Sequence, residues 1–194
     1  MVIHQANIKE RAKVVDIIAN TFKNNSGVNW MFSASKRSQK IKRLADYAFI
    51  KCLNRNGVLI SSNGKGVALF YRSDKKPFSL RELFYEIRFG LLSIKLNRLK
   101  HVLKREAFRR MKRPRNQPYY YFWFLGVLKE GAGAGFELNK ALIAMANKEH
   151  LPIYLETSDE RNKKIYEKIG YKTYDYWRDD AKGIEFWFMN RQSD

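Results

Sequence analysis

The chain has 194 residues, of which 45% are hydrophobic, and its 38 Lys and Arg residues against 19 Asp and Glu residues give a formal net charge of +19. This length and hydrophobic content predict one domain with a full core over residues 1–194. The single cysteine, Cys52, excludes an internal disulfide and is typical of a reducing compartment. Because the sequence predicts neither a signal peptide nor a membrane-spanning segment, we expect a cytoplasmic protein without a membrane partner.

The amino-terminal part of the chain predicts a short strand and two helices. Residues 2–4 are β-prone, and apolar residues then recur at helical spacing over residues 8–23. Asn7 and Glu10 have the spacing of a capping box at the start of this helix. A second helix is predicted over residues 36–54, where an Asn-Gly pair ends the periodic pattern.

The segment between these two helices, residues 28–32, is aromatic and apolar. One interpretation is that it lines a pocket, in which case Trp30 and Phe32 bind the substrate. The other is that it anchors the preceding loop in the core. The sequence leaves both interpretations open.

The middle of the chain predicts a hairpin and a long helical tract. The β-prone runs at residues 58–61 and 67–71 flank an Asn-Gly pair, which favours a hairpin. Residues 80–111 are helical in pattern, with a break near residues 96–97, and we expect their apolar side chains to form one packed stripe.

The end of this tract is strongly basic. Residues 95–115 hold ten Lys and Arg residues against the single Glu106. A solvated helix face, whose long side chains cover apolar surface, explains this pattern. A binding surface for nucleic acid or another polyanion explains it as well.

The carboxyl-terminal half predicts alternating strands and helices. Residues 118–127 form the longest β-rich run and carry no charge, which is typical of a central strand. The predicted elements that follow are a helix over residues 134–149, a strand over 152–157, a helix ending near 169, and a hairpin of strands 171–177 and 184–190. The fold class predicted from this order is α/β (α+β), with a single mixed, mostly antiparallel sheet and helices on both faces.

Three alternating glycines, Gly131, Gly133 and Gly135, join the central strand to the next helix. Glycine backbone can adopt positive φ and allows an anion to approach its N–H groups closely. The helix start brings partial positive charge to the same point. The spacing differs from the dinucleotide-binding GxGxxG pattern, and no Gly-Lys-Ser/Thr sequence follows, so we predict a phosphate site of another kind or a tight turn.

The tract LETSDERNKKIYEKIGY, residues 155–171, together with the glycine turn, resembles the GNAT acetyltransferase superfamily. In layout the chain is similar to the puromycin N-acetyltransferase-like bacterial members. The resemblance covers residues 118–175 closely, as an acetyl-CoA-binding core, and residues 1–117 only in topology, with a helical insertion near residues 79–112.

The resemblance implies an N-acetyltransferase that uses acetyl-CoA and no metal. The acetyl group would pass to a primary amine of a small-molecule acceptor by direct attack in a ternary complex. Residues implied to bind the cofactor pyrophosphate through backbone N–H groups are Gly131, Ala132, Gly133, Ala134, Gly135 and Phe136. Residues implied to hold the pantetheine arm are Phe124, Leu125, Val127 and Asn162, with an oxyanion donor near Val127. Tyr166 is implied to lie beside the thioester sulfur as the acid.

One residue departs from the family pattern, and another is a candidate for a general base that the resemblance does not identify. Glu130 occupies a position where the family usually has Gln or Arg, so we expect its carboxylate to point outward and Lys129 to supply a cation. Glu156, a carboxylate within a buried strand, is the first candidate for the general base, since burial raises a carboxyl pKa, and a structural group bonded to backbone is an equal interpretation of it. Further candidates for the base are Glu82, Glu86, Asp179, Asp180 and water.

A second class of function is also consistent with the sequence. The chain would then be a cationic protein on an acetyltransferase scaffold that binds nucleic acid or another polyanion without catalysis. The oligomeric state is open between a monomer and a homodimer.

Overall fold

A computed structural model of the chain, which describes residues 2–32, 34–94, 96–180 and 183–194, contains a seven-stranded sheet. The strands are β1 (His4–Gln5), β2 (Val58–Ile60), β3 (Gly66–Arg72), β4 (Tyr120–Val127), β5 (Ile153–Thr157), β6 (Lys172–Asp179) and β7 (Ile184–Arg191). Their order is β1-β2-β3-β4-β5-β7-β6, and every neighbouring pair is antiparallel except β4 with β5. The predicted mixed, mostly antiparallel sheet is therefore confirmed.

Seven α-helices occur in the described ranges. They are α1 (Arg11–Thr21), α2 (Ser26–Asn29), α3 (Arg37–Leu53), α4 (Leu80–Ser93), α5 (Leu96–Lys112), α6 (Ala134–Lys148) and α7 (Glu160–Lys168). The predicted capping box precedes α1, where the Glu10 carboxylate accepts from the Asn7 backbone N–H at 3.0 Å. Among these described helices, none combines the length and the apolar character that crossing a bilayer requires.

The sheet has one hydrophobic cluster on each face. Because successive side chains of a strand point to opposite faces, Val67 and Leu69 of β3 join the cluster under α1, α2 and α3. Ala68 and Phe70 join the cluster under α6. The predicted placement of helices on both faces is confirmed, and the burial of β4 fits its predicted central position.

The expected packed stripe on α4 and α5 is wrong. The apolar residues of these helices that are exposed to solvent are Leu80, Leu83, Phe84, Ile87, Leu91, Leu92, Leu99 and Leu103. Instead, α4 is held by its other side, where Phe89 stacks on Tyr47 with ring centroids 5.9 Å apart and Glu82 pairs with Arg55 at 2.6 Å. Periodicity predicted the helices but could not predict which of their faces would be covered.

Candidate active site

The sheet opens between β4 and β5. The two strands pair in parallel only where residues 120–122 meet residues 153–155. Beyond that point β4 continues to Val127 and β5 continues to Thr157, but the two strands no longer pair with each other. The strands therefore diverge and leave a cleft at their carboxyl ends.

A β-bulge lies at the closed end of this cleft. Phe122 and Phe124 of β4 pair with the consecutive residues Phe70 and Leu69 of β3, so that Trp123 is an extra residue. A bulge bends its strand and increases the local twist, and bulges are frequent beside functional sites. Because this bulge begins where pairing with β5 ends, it accounts for the divergence of β4.

A cavity of about 1250 Å³ fills the cleft and continues beneath the helices. The residues that line it in the cleft include Leu125, Leu155, Thr157, Asn162 and Tyr166. Those that line it on the helical side include Val28, Met31, Tyr47, Lys51, Glu86, Arg105, Arg109 and Arg113. Pockets for a single small ligand usually enclose roughly 300–1,000 Å³, so this cavity has room for two reactants side by side.

The glycine turn presents free backbone donors beyond the open end of β4. The N–H groups of Gly131 and Ala134 are used within the turn, at 2.9 and 3.0 Å from carbonyl oxygens. The backbone N–H groups with no hydrogen-bond partner in the described ranges include those of Ala132, Gly133, Gly135 and Phe136. These four donors stand at the start of α6 and form a cradle suited to an anion.

The three glycines serve different purposes. A Cβ on Gly131 would lie 2.9 Å from Val127 Cγ1 and 3.1 Å from the Leu128 carbonyl oxygen, so this position has no space for a side chain. Gly133 has φ +82°, a conformation that side-chain-bearing residues rarely adopt. A Cβ on Gly135 would make only an ordinary contact, 3.4 Å from Val127 Cγ2.

Charged side chains surround this turn. Glu130 is exposed, which agrees with an outward-pointing carboxylate, and Lys129 is exposed as well. The sequence did not indicate Lys65, whose carbonyl accepts from the Leu128 N–H at 3.0 Å. The Lys65 Cβ would lie 3.0 Å from a Cβ on Gly131. Two cations, Lys65 and Lys129, therefore flank the turn.

The backbone groups of successive β4 residues point alternately toward β3 and toward the cleft. The Leu128 N–H donates to the carbonyl of Lys65, the residue before β3, and N–H groups alternate between the two edges of a strand. Phe124 therefore directs its backbone groups to Leu69 of β3, and the expectation that it holds the pantetheine arm is wrong. The backbone groups of Leu125 and Val127 point into the cleft.

Tyr166 and Asn162 occupy the opposite wall, on one face of α7. The helix begins after Asp159, whose carboxylate accepts from the Asn162 backbone N–H at 3.4 Å. The Tyr166 ring packs edge-on against Tyr171 with centroids 5.3 Å apart. Burial raises the pKa of Tyr166 above its ordinary value, so its hydroxyl keeps its proton at neutral pH.

Glu156 does not have the raised pKa that the sequence predicted. Its carboxylate accepts from Arg113 and lies 3.4 Å from Arg109 and 3.2 Å from the Tyr121 hydroxyl. Burial raises the pKa of Glu156, but the charges of Arg109 and Arg113 outweigh burial and lower it. A carboxylate with two guanidinium partners is a weak proton acceptor, so the structure makes Glu156 a counterion.

Trp30 and Phe32 lie in the core and do not line the cavity. Their side chains are 8% and 1% exposed. Trp30 packs edge-on against Trp177 at 6.1 Å, and Phe32 against Phe89 at 6.2 Å. Of the two interpretations of this segment, core anchoring therefore fits both residues. The segment reaches the cavity through Val28 and Met31, which lie on its other side.

The helical wall of the cavity contains a lysine surrounded by aromatic rings. Lys51 Nζ lies 5.3, 5.6 and 5.7 Å from the ring centroids of Tyr47, Tyr71 and Trp123. The Tyr47 hydroxyl donates to Glu86 at 3.1 Å. These residues come from α3, β3, β4 and α4, so no local sequence pattern indicated them.

The basic tract is divided between the cavity and the solvent. Arg105 and Arg109 of α5 and Arg113, the residue that follows α5, recur every fourth residue and line the cavity, whereas Lys100 and Lys104 are exposed. Lys95, where the tract begins, lies outside the described residues. Neither interpretation of the tract included this inward row, although its four-residue spacing is visible in the sequence.

Comparison with known proteins gives matches only at the level of structure. No protein-family model matches the sequence, and no curated protein matches it significantly. A solved acetyltransferase from Corynebacterium glutamicum, described as "histone acetyltransferase HPA2 and related acetyltransferase", has a TM-score of 0.70 and 20% identity over 100% of this chain and 96% of that one.

Two further solved structures are similar over nearly their whole length. Arylalkylamine N-acetyltransferase 2 from Aedes aegypti has a TM-score of 0.63 and 16% identity, covering 99% of this chain and 98% of that one. An N-acetyltransferase from Staphylococcus aureus has a TM-score of 0.59 and 15% identity, covering 98% and 100%. At these identities the likeness establishes the fold.

Proposed function

We propose that this chain, which has the fold of the GNAT acetyltransferases as the resemblance predicted, is an acetyl-CoA-dependent N-acetyltransferase. Its acceptor is a primary amine of a small molecule, and both substrates bind before the acetyl group is transferred. The observation that carries the proposal is the cradle of four N–H groups, those of Ala132, Gly133, Gly135 and Phe136, which have no hydrogen-bond partner among the described residues and follow the end of β4, with Tyr166 lining the cavity between β4 and β5.

The cofactor side of the site is built from backbone groups. The cradle suits a pyrophosphate, because its four N–H donors converge at a helix start and Lys65 and Lys129 add positive charge. Leu125 and Val127 offer backbone N–H and carbonyl groups along the cleft edge, which suit the amides of a pantetheine arm. Acetyl-CoA supplies the acetyl group as a thioester.

Acetyl transfer forms a C–N bond and breaks a C–S bond. Because β4 and β5 pair at residues 120–122 and diverge beyond them, the cleft is narrowest beside Trp123, and the Leu125 N–H would donate to the thioester carbonyl oxygen as negative charge develops there. Tyr166 gives its phenolic proton to the departing sulfur and regains a proton from water. The phenol is protonated at neutral pH, as this role requires, and burial raises its pKa, which makes it a weaker acid than a tyrosine in water.

Glu86 replaces Glu156 as the candidate base. In the described ranges it is the carboxylate on the cavity wall without an ion pair, since Glu106 and Glu156 pair with arginines and Asp74 pairs with Arg72. It accepts from the Tyr47 hydroxyl, which fixes its position. Glu86 receives the amine proton directly or through one water molecule.

Binding of acetyl-CoA tests the proposal before any acceptor is known. We expect micromolar acetyl-CoA to raise the melting temperature of the wild-type protein, and Gly133→Asp to abolish this shift, because a carboxylate at the cradle repels the pyrophosphate. Gly183→Asp is the matched control, since Gly183 also has positive φ and open space around it but lies in the β6–β7 turn. Equal loss of the shift in both variants would contradict binding of the pyrophosphate at the glycine turn.

The rival function, a cationic protein that binds polyanions, has weaker support. Arg105, Arg109 and Arg113 line the cavity, so part of the basic tract is withdrawn from the outer surface. If acetyl-CoA gave no thermal shift while duplex RNA or DNA bound with a steep dependence on salt, the rival would replace our proposal.

A further inference from the structure

The acceptor side of the cavity carries an excess of positive charge. Counted over the described ranges, nine Lys and Arg side chains and four Asp and Glu side chains line the cavity. The arginines Arg109, Arg110 and Arg113 share the carboxylates of Glu106 and Glu156. These ion pairs account for three of the nine cations, and the partners of the other six have to be considered separately.

Lys51 is one cation that lacks a carboxylate within ion-pair distance in the described ranges. Its polar contact is the Tyr47 hydroxyl at 3.0 Å, and the ring faces of Tyr47, Tyr71 and Trp123 surround it. Burial lowers the pKa of Lys51, and Glu86 only partly offsets this effect. Aromatic faces attract a cation, but they do not neutralise its charge.

Arg105 is the second such cation. Its guanidinium lies 5.1 and 4.8 Å from the ring centroids of Trp30 and Phe186, and its contacts with the Gly27 carbonyl and the Met31 sulfur are long, at 3.4 and 3.5 Å. Burial lowers the pKa of Arg105 to about 10, and the charge of neighbouring Arg109 adds to this effect. In the described ranges no carboxylate pairs with Arg105.

Arg55 on the same wall pairs with Glu82. The remaining wall cations without an ion pair in the part of the chain that the structure describes, Lys75, Lys76 and Arg115, are exposed to water and need no partner. Lys51 and Arg105 are partly buried, and holding a charge away from water is costly unless a counterion joins it. They belong to α3 and α5, which contribute no residue to the glycine turn, so the cofactor pyrophosphate does not explain them.

We propose that the acceptor amine also carries an acidic group, a carboxylate or a phosphate, which Lys51 or Arg105 binds in the cavity that both residues line. This inference rests on the proposed acetyltransferase function and names its substrate class. The rings of Tyr47, Tyr71, Trp123 and Phe89 on the same wall suit an aromatic or aliphatic body between the amine and the acid. A simple polyamine is disfavoured, because like charges repel it from this wall.

Matched pairs of amines test the acid requirement by binding as well as by turnover. Phenylalanine against phenethylamine tests a carboxylate, and O-phosphoethanolamine against ethanolamine tests a phosphate. Binding is measured by calorimetry on the full chain with CoA present, and turnover by release of free thiol from acetyl-CoA. We expect the acid-bearing member of at least one pair to bind about 10- to 100-fold more tightly, as for a hydrogen bond to a charged group.

The variants Lys51→Met and Arg105→Met test which side chains are responsible. Each retains an apolar stem and should weaken binding of the acid-bearing amine about tenfold or more, mainly through KM, and much more than it weakens binding of the neutral amine, while leaving the thermal shift with acetyl-CoA unchanged. Lys100→Met, an exposed charge on the same helix as Arg105, is the control for loss of one positive charge.

Three results would overturn the inference. The first is that the neutral member of every pair binds as well as the acidic one, and the second is that both variants weaken neutral and acidic amines equally. The third is that both variants abolish the acetyl-CoA shift, which would assign these cations to the cofactor. A retained acetyl-CoA shift without any acid preference would reject the acceptor class alone, whereas absence of the shift in the wild-type protein would reject the acetyltransferase proposal itself.

Discussion

The two sides of the proposed site differ in what they are built from. The proposed cofactor side uses backbone groups: the N–H donors of Ala132, Gly133, Gly135 and Phe136, which have no partner among the described residues, and the strand edge at Leu125 and Val127. The acceptor side uses side chains that come from α3, α4 and α5, with Arg109 and Arg113 held by Glu156. A backbone site depends on local conformation, whereas a side-chain site depends on which distant elements meet.

The largest expected effect concerns the charge balance of the acceptor side. Glu156→Gln leaves Arg109 and Arg113 without their shared buried anion, and we expect a loss of about 3 kcal/mol in the free energy of unfolding, measured by denaturant titration. The control is Glu160→Gln, which removes an exposed ion pair with Lys164 and should cost under about 1 kcal/mol.

The variant Glu156→Gln also tests whether Glu156 acts as a counterion or as the general base. At a temperature where Glu156→Gln remains folded, we expect its kcat to stay within a few-fold of the wild-type value. A fall of about 10²-fold with unchanged stability would instead identify Glu156 as the base and reverse the distinction between the two sides.

The second prediction concerns stability in acid. Burial raises the pKa of Glu106, but Arg109 and Arg113 outweigh burial and lower it from 4.5 to about 2. A depressed pKa in the folded state contributes stability above pH ~4.5, which is lost as the pH falls toward about 2. We expect this loss to reach about 3 kcal/mol. Glu106→Gln should remove it, and an unchanged pH dependence in that variant would contradict the assignment.

The third prediction concerns the acid on the cofactor side. Tyr166→Phe keeps the ring contact with Tyr171 but removes the phenolic proton, so we expect kcat to fall about 10²-fold with little change in acetyl-CoA binding. Single-turnover thiol release with a good amine acceptor is the appropriate measurement. Unchanged turnover would remove Tyr166 from the mechanism and leave it as a packing residue.

The smallest expected effect concerns the third glycine of the turn. Gly135→Ala adds a methyl group that makes an ordinary contact with Val127, at a helical position where alanine is favoured. We expect stability to change by less than about 1 kcal/mol and the acetyl-CoA shift to persist. Gly131→Ala, whose new Cβ would lie 2.9 Å from Val127 Cγ1, should destabilise more. Equal effects would mean that the turn adjusts around its glycines.

The sequence predicted more of the cofactor side than of the acceptor side. The glycine turn and the α7 motif were located correctly because each is contiguous. Phe124 was misassigned because the choice of cleft-facing groups depends on pairing with β3. The pKa of Glu156 was predicted in the wrong direction because its arginine partners lie more than 40 residues away along the chain.

By itself, the sequence determined the order of strands and helices, the uncharged central strand and the glycine turn, since periodicity and backbone conformation are local properties. Only the tertiary structure decided that Val28 and Met31 rather than Trp30 and Phe32 reach the cavity, that the apolar stripe of α4 faces solvent, and that Lys51 and Arg105 share one wall. Those outcomes depend on long-range packing, in which each helix buries whichever face its neighbours can cover and charges find partners far away in the chain.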